Sequence, residues 1–289
     1  NNIWTIIYKI VIDPVNPETL YVATSSGIYK TTNSDETIPN NVSWSNILSG
    51  CVYDLEMRPN NNQTLYTTCV TAPCSNSWDG CTSGCSPWLL KYSQDGGNTW
   101  NDLSGQPSST GAGYTTIEVT DANSNLIYYL IGGFSGYTSS LHMYDFSSTV
   151  WTVLKNNLKV VGVSGRGNGF GVSQTNGTDV VVSDDIRYKR YFGGTWYNAT
   201  STNAFHVDIE DIVFHPTNSN EVWMATHRGL SRSTDNGVSW TDMSDGLGVA
   251  TIITIALSSY GIMYGEKIYN FLKSYLRIFD FKHGAAERH

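Results

Sequence analysis

The sequence predicts an all-β chain built from repeated four-stranded antiparallel units, and three observations carry that reading. SQDGGNTW (93–100) and STDNGVSW (233–240) both fit Ser-x-Asp-x-Gly-x-(Ser/Thr)-Trp without a gap. Trp44, Trp100, Trp151, Trp196 and Trp240 recur at intervals of 56, 51, 45 and 44 residues. Four segments share one plan: IVIDPVNPETLYVAT (10–24), LEMRPNNNQTLYTTC (55–69), IEVTDANSNLIYYLI (117–131) and IVFHPTNSNEVWMAT (212–226). Each is an alternating strand, a turn rich in Pro, Asn and Asp, and a second strand rich in β-branched and aromatic residues.

Taken in order, each unit reads strand, turn, strand, loop, strand, tight turn, strand. First strands start near Tyr8, Val52, Thr115, Val160 and Asp211. The tight turn before the fourth strand is the Ser-x-Asp-x-Gly element, where Gly supplies a positive φ and Asp accepts backbone N–H bonds. The tryptophan after it opens the fourth strand and is large enough to pack on a neighbouring unit. Ile47, Leu103, Leu154 and Met243 follow three positions on, with Ala199 in the fourth unit. Four strands in about 45 to 50 residues is a β-propeller blade. A sixth blade begins at TIITIALS (251–258), so the propeller spans 1–257 and closes at six or seven blades or is incomplete. Residues 258–289 read as an irregular or helical segment, with Ile268, Phe271, Leu272, Tyr275 and Leu276 at helical spacing.

Composition narrows the function classes. Only 15% of residues are charged, and 25 acidic against 17 scattered basic residues give a net charge of -8. No Lys/Arg stripe is available to neutralise phosphates, which argues against nucleic acid. No apolar run approaches the roughly 18 residues of a membrane-spanning helix. Opening on Asn1 without Met or signal peptide, the chain reads as a mature form or a fragment. All five cysteines, Cys51, Cys69, Cys74, Cys81 and Cys85, fall within 35 residues. Without nearby His or a paired C-x-x-C they predict disulfides rather than zinc, and hence an oxidising, extracellular or cell-surface location. One disulfide is expected within 69–85, or else Cys51 and Cys69 face each other across a hairpin centred near Asn61. The sequons at Asn41, Asn62, Asn176 and Asn198 agree with secretion.

The eight-residue element resembles the Asp-box, or BNR, motif of sialidases, family 74 xyloglucanases and sortilin-type Vps10 domains. In this sequence its residues are Ser93, Asp95, Gly97 and Trp100, and Ser233, Asp235, Gly237 and Trp240. HVDIEDIVFHPTNSNEVWMATHRGLSRSTDNGVSWTDMSDGL (206–247) is similar, more narrowly, to BNR-like propellers of large secreted Bacteroidetes proteins. The resemblance implies a propeller whose Asp-box turns lie on the face opposite the usual binding face, so Asp95 and Asp235 are structural. Departures are equally informative. No Arg-Ile-Pro occurs, as sialidase chemistry would need. Ser25 and Ser26 stand where a family 74 acid is expected, and His227-Arg228-Gly229 replaces the Asp-Gly-Gly of related propellers.

In a propeller, the loops entering first strands and those joining second to third strands share one face. The densest polar group there falls between blades four and five: Asp184, Asp185, His206, Asp208, Asp211, His227 and Arg228. Three readings of it are open. Asp185, Asp208 and Asp211 could supply acid and base for glycoside hydrolysis. The oxygen ligands could hold Ca²⁺, although no dense D-x-D-x-D loop supports a metal, and no other cofactor is implied. The cluster could also be a hydrogen-bonded loop that orders the blade junction. The function expected is a secreted or surface-displayed module binding a glycan or an extracellular protein through Asp184, Asp185, His206, Asp208, His227 and Arg228. A family 74-like glycoside hydrolase is the alternative, and a structural spacer of a large adhesin the second. Oligomeric state is not readable from the sequence.

Overall fold

The computed structural model describes residues 6–70, 89–109, 112–133, 139–159, 169–184, 187–198, 209–226, 229–245, 251–257 and 263–268. The chain forms two compact units, Asn1–Leu158 and Lys159–His289.

Unit 1 holds three four-stranded antiparallel sheets. The first is β1 (Ile7–Ile12), β2 (Leu20–Thr24), β3 (Gly27–Thr31) and β4 (Ser45–Ser49). The second is β5 (Cys51–Met57), β6 (Leu65–Val70), β7 (Leu89–Ser93) and β8 (Asn101–Asp102). The third is β9 (Ala112–Val119), β10 (Leu126–Gly133), β11 (Ser139–Asp145) and β12 (Val150–Leu158). Unit 2 holds two more: β13 (Phe170–Val172), β14 (Val180–Asp184), β15 (Arg187–Phe192) and β16 (Thr195–Asn198), then β17 (Ile209–His215), β18 (Asn218–Thr226), β19 (Gly229–Ser233) and β20 (Thr241–Asp242). A two-stranded sheet follows, β21 (Thr251–Leu257) with β22 (Met263–Ile268). Five sheets of sequential strand order are the blade repeat that the tryptophan period predicts.

The tryptophans mark the same place in every sheet. Trp44, Trp100 and Trp240 directly precede β4, β8 and β20, while Trp151 and Trp196 are the second residues of β12 and β16. Turn chemistry varies around this constant. Between β15 and β16 the two-residue Gly193-Gly194 turn has φ of 55° and 81°, the left-handed geometry that a tight hairpin matching strand twist requires.

Within each unit, the sheets pack face to face through apolar side chains. Tyr21, Ala23 and Ile28 of the first sheet meet Val52, Leu55 and Leu65 of the second. Tyr66 and Leu90 of the second meet Ile117, Ile127 and Tyr129 of the third. In unit 2, Val181 and Tyr188 meet Ile212, Phe214, Met224 and Trp240. The second sheet thus buries both faces, and its inner strands lose the polar alternation of a one-sided sheet.

Three sequence expectations change here. Cys51 stands opposite Val70, and Cys69 opposite Val52. Because the two cysteines sit one rung apart in a period-2 ladder, they point to opposite faces and enter different cores. They cannot pair, and Cys69 is a free, buried thiol, so it leaves the set of disulfide cysteines. Cys51 is disulfide-bonded, while Cys74, Cys81 and Cys85 lie outside the described residues. The strand β22 carries the β repeat past residue 257, into the segment that reads as irregular or helical; residues 269–289 lie outside the described residues. Finally, the first strand of the fourth sheet is β13 at Phe170, with Val160 outside the described residues.

Burial pushes the Cys69 thiol up to about 12, which makes it a poor nucleophile at neutral pH. It should therefore stay silent to a thiol-reactive dye in the folded protein and label on denaturation. Labelling located by peptide mapping at Cys69 itself, at pH 7.5 without unfolding, would contradict this placement.

Two sequons are already committed in the fold. The Asn62 amide donates to both carboxylate oxygens of buried Asp13, at 3.0 and 2.9 Å, and the Asn176 amide donates to Asp179 at 2.5 Å.

Candidate functional site

The two copies of the eight-residue turn fold alike. Ser93 Oγ accepts the Gly97 amide at 2.9 Å and donates to Asp95 at 2.8 Å. Asp95 then accepts the Thr99 amide at 2.8 Å and its hydroxyl at 2.6 Å. In the second copy, Ser233 bonds Gly237 and Asp235 at 2.8 and 2.7 Å, and Asp235 holds the Ser239 amide and hydroxyl at 2.8 and 2.5 Å. The Thr99 hydroxyl and amide, with Ser93, hold the Asp95 carboxyl down at about 2. Burial acts against Asp235, yet its bonds to Ser239, Ser233 and Val238 still leave it below the usual carboxylate range. Both carboxylates are anchored acceptors that keep the turn closed, poor candidates for proton transfer.

The preceding sheet grips each turn through its carbonyls. Tyr21 Oη and Lys30 Nζ donate to the Gly96 carbonyl at 3.4 and 2.9 Å. Tyr188 Oη donates to Gly237 at 2.9 Å, and Arg190 to Asn236 at 3.4 Å. A phenol and a cation serve the same purpose in both units.

A second constellation lies along the first strands, which neighbour one another within each unit. β1, β5, β17 and β21 each carry a one-residue bulge at the same rung, at Tyr8, Tyr53, Glu210 and Ile253. A bulge re-aims the residue after it. Accordingly, Lys9 reaches Glu56 of the next sheet at 2.7 Å and Asp54 at 3.9 Å. Asp54 in turn accepts the Ile117 amide of the sheet after it at 2.8 Å. In unit 2, Asp211 accepts the Ile255 amide of the next sheet at 3.0 Å. Burial works against the Lys9 charge, but the carboxylates of Glu56, Asp54 and Glu118 outweigh it and raise the ammonium well above its ordinary pKa. Lys9, Asp54, Glu56 and Glu118 were not singled out by sequence reasoning. Aligning Tyr8-Lys9-Ile10, Tyr53-Asp54-Leu55 and Glu210-Asp211-Ile212 as one column would have found the first two.

The loops that join second to third strands repeat as well. Thr24 Oγ1 donates to the Gly27 carbonyl at 2.8 Å, and Thr226 Oγ1 to Gly229 at 3.2 Å. The loop that holds Ser25-Ser26 in the first sheet is thus bracketed by the same Thr-to-Gly bond as the loop between Thr226 and Gly229 in the fifth. Ser26 Oγ lies 3.4 Å from the Tyr29 hydroxyl, and bonds from Ser26 and Asn46 bring the Tyr29 phenol below its ordinary pKa.

Of the site residues expected from sequence, Asp211 lies on β17 with its carboxylate on the Ile255 amide. Asp184 ends β14, opposite Arg187 in the ladder. Asp185, His206, Asp208, His227 and Arg228 lie outside the described residues. The fifth sheet's ladder closes with Ile209 opposite Thr226. Among the described residues, no group of three His, Cys, Asp or Glu side chains is placed to hold a metal ion, and no helix is long and apolar enough to cross a membrane.

Comparison with known proteins follows the fold. The chain superimposes on a GH74 enzyme of Niastella koreensis with a TM-score of 0.51 and 15% identity, covering 89% of this chain and 53% of that one. It matches the GH74 xyloglucanase of Xanthomonas campestris with a TM-score of 0.60 and 12% identity, covering 89% and 42%. The fold is a blade-repeat β-propeller. The chain spans about half the length of these two structures or less, and identities this low speak for the fold alone. No protein-family model and no curated protein matches the chain.

Proposed function

We propose that this propeller is a secreted or surface-displayed module that binds a polysaccharide at the loops of the fourth and fifth sheets. The observation that carries the reading is the likeness to two GH74 propellers over 89% of the chain, one of them a xyloglucanase. That likeness favours a glycan over a protein ligand, by analogy of fold. The turn bonding around Asp95 and Asp235 supports assigning the eight-residue elements as Asp-boxes of the BNR type, as in sortilin-type propellers. A disulfide at Cys51 supports an oxidising compartment. Asp184, Asp185, His206, Asp208, His227 and Arg228 are the residues proposed to contact ligand. A Ca²⁺ ion held by the same loops would be a structural partner to the glycan.

Glycoside hydrolysis is the second reading, and Asp54 and Asp211 bear on it. Each spends a carboxylate oxygen on the backbone of the next sheet, a bracing duty that leaves acid and base work to Asp185 and Asp208. Native electrophoresis through gels containing xyloglucan tests the proposal. The expected result is retardation of the wild-type chain that Asp208→Asn abolishes with no change in melting temperature. Mobility unaffected by xyloglucan or other neutral polysaccharides would defeat the binding reading. Release of reducing ends that Asp208→Asn eliminates would establish the hydrolase instead.

A further inference from the structure

The fourth and fifth sheets, both in unit 2, repeat a junction that the first and second sheets make in unit 1. Lys30 donates to the Gly96 carbonyl and Arg190 to the Asn236 carbonyl, the same position of the eight-residue turn. The two cations therefore mark one rung of the repeat. Opposite Lys30 on the fourth strand stands Ser45, and opposite Arg190 stands Tyr197. Two residues past the cation lie Thr32 in the first junction and Phe192 in the second. After Gly97 and Gly237 in the turns come Asn98 and Val238.

Three polar side chains of one junction are thus apolar in the other. Strand alternation puts Arg190, Phe192 and Tyr197 on the face turned to the fifth sheet, where Tyr188 packs on Trp240. The turn lies close by, since a Cβ built on Gly237, next to Val238, would meet Arg190 Cδ at 3.8 Å. The sheet against this face belongs to the same unit, yet Phe192, Tyr197 and Val238 are 42%, 42% and 41% exposed. The first junction closes with Thr32, Ser45 and Asn98, so packing does not require apolar residues here. Single apolar side chains on a surface are ordinary, but three gathered at one junction mark a contact surface.

Charge specifies what meets it. In the fifth sheet, Arg232 stands opposite Trp223 as Lys30 stands opposite Tyr21, and it holds both oxygens of Glu221. Arg190 has no such partner. Among the described residues it bonds only the Asn236 carbonyl, at 3.4 Å, and lies over the Tyr197 ring at 4.8 Å.

We propose that this junction docks an acidic segment of a partner protein. An aliphatic or aromatic side chain of the partner packs among Phe192, Tyr197 and Val238, and an adjacent Asp or Glu pairs with Arg190. Burial of the exposed apolar surface drives the contact, and the guanidinium supplies charge-assisted, bidentate bonds. Aromatic residues and Arg are also what interface cores favour. A peptide fits better than a glycan, because the guanidinium covers one face of Tyr197 and Val238 has no ring to stack. Phe192 ends β15 at the far end from Asp184, so the proposal is independent of polysaccharide binding at the loops there.

Binding of the full chain to an array of random-sequence octapeptides tests the assignment. Bound peptides should be enriched in Asp or Glu beside an aliphatic or aromatic residue. A chain of net charge -8 repels acidic peptides in general, so such enrichment comes from a local site. Arg190→Gln should weaken the selected peptides by about tenfold or more, and added salt should weaken them too. The triple variant Phe192→Thr, Tyr197→Ser, Val238→Asn copies the first junction. It should lose the peptides and melt as the wild type does, while Asp208→Asn should bind them unchanged. No acidic enrichment, or enrichment that survives Arg190→Gln or the triple variant, would overturn the proposal. So would a large fall in melting temperature in the triple variant, since the three side chains would then be core. Retention on polygalacturonate that the triple variant abolishes, with no peptide selected, would overturn it in favour of a glycan.

Discussion

Replacing Trp240 by Ala is expected to destabilise the protein by about 3 to 5 kcal/mol, the cost of a large-to-small change in a closed core. Trp240 is 6% exposed and sits in the cluster of Tyr188, Ile212, Phe214 and Met224. Its ring meets Tyr188 edge-to-face at 5.5 Å, and Tyr188 also bonds the turn at Gly237. Removal would leave a void under the turn and loosen the grip of the fourth sheet on the fifth. Trp44 occupies the same place in the first sheet but is 45% exposed. Trp44→Ala should therefore fall within about 0.5 kcal/mol of wild type, as surface substitutions do. Denaturant titration of both variants decides the matter. Equal losses, or a loss below about 1 kcal/mol at Trp240, would show that the repeat does not pack as described.

The second large effect is expected at Asp54. Its carboxylate accepts the Ile117 amide of the next sheet and the Leu55 amide of its own strand, both at 2.8 Å, and faces Lys9. Asp54→Ala should cost about 2 to 4 kcal/mol, because it orphans a buried amide and removes one of the carboxylates balancing Lys9. Asp54→Asn should cost less, since the amide oxygen can still accept from Ile117. Asp211→Ala carries the comparison into unit 2. If Asp211 braces Ile255 as Asp54 braces Ile117, its loss lowers stability. A variant with native stability but no ligand turnover would return Asp211 to the catalytic set.

Much of this architecture was legible in residue order. The spacing of Trp44, Trp100, Trp151, Trp196 and Trp240 located the start of every fourth strand, because a bulky ring after a tight turn has one place to go in a repeated sheet. SQDGGNTW and STDNGVSW specified a turn whose internal hydrogen bonds are local, each spanning at most four residues. The bracing of first strands was not legible. Alternation assigns Lys9, Asp54 and Asp211 to a face on the premise of an unbroken ladder, and the bulges at Tyr8, Tyr53 and Glu210 break it.

The sequence by itself determined the blade repeat, its strand order and the turns that close it, since those depend on contacts a few residues apart. Tertiary structure alone decided which equivalent residues differ in role. Trp44 and Trp240 share a motif position, yet one is exposed and the other buried. Cys51 and Cys69 look like hairpin partners, yet a one-rung offset sends them into separate cores. Burial and pairing depend on which sheet lies against which face, and that relation joins residues tens of positions apart.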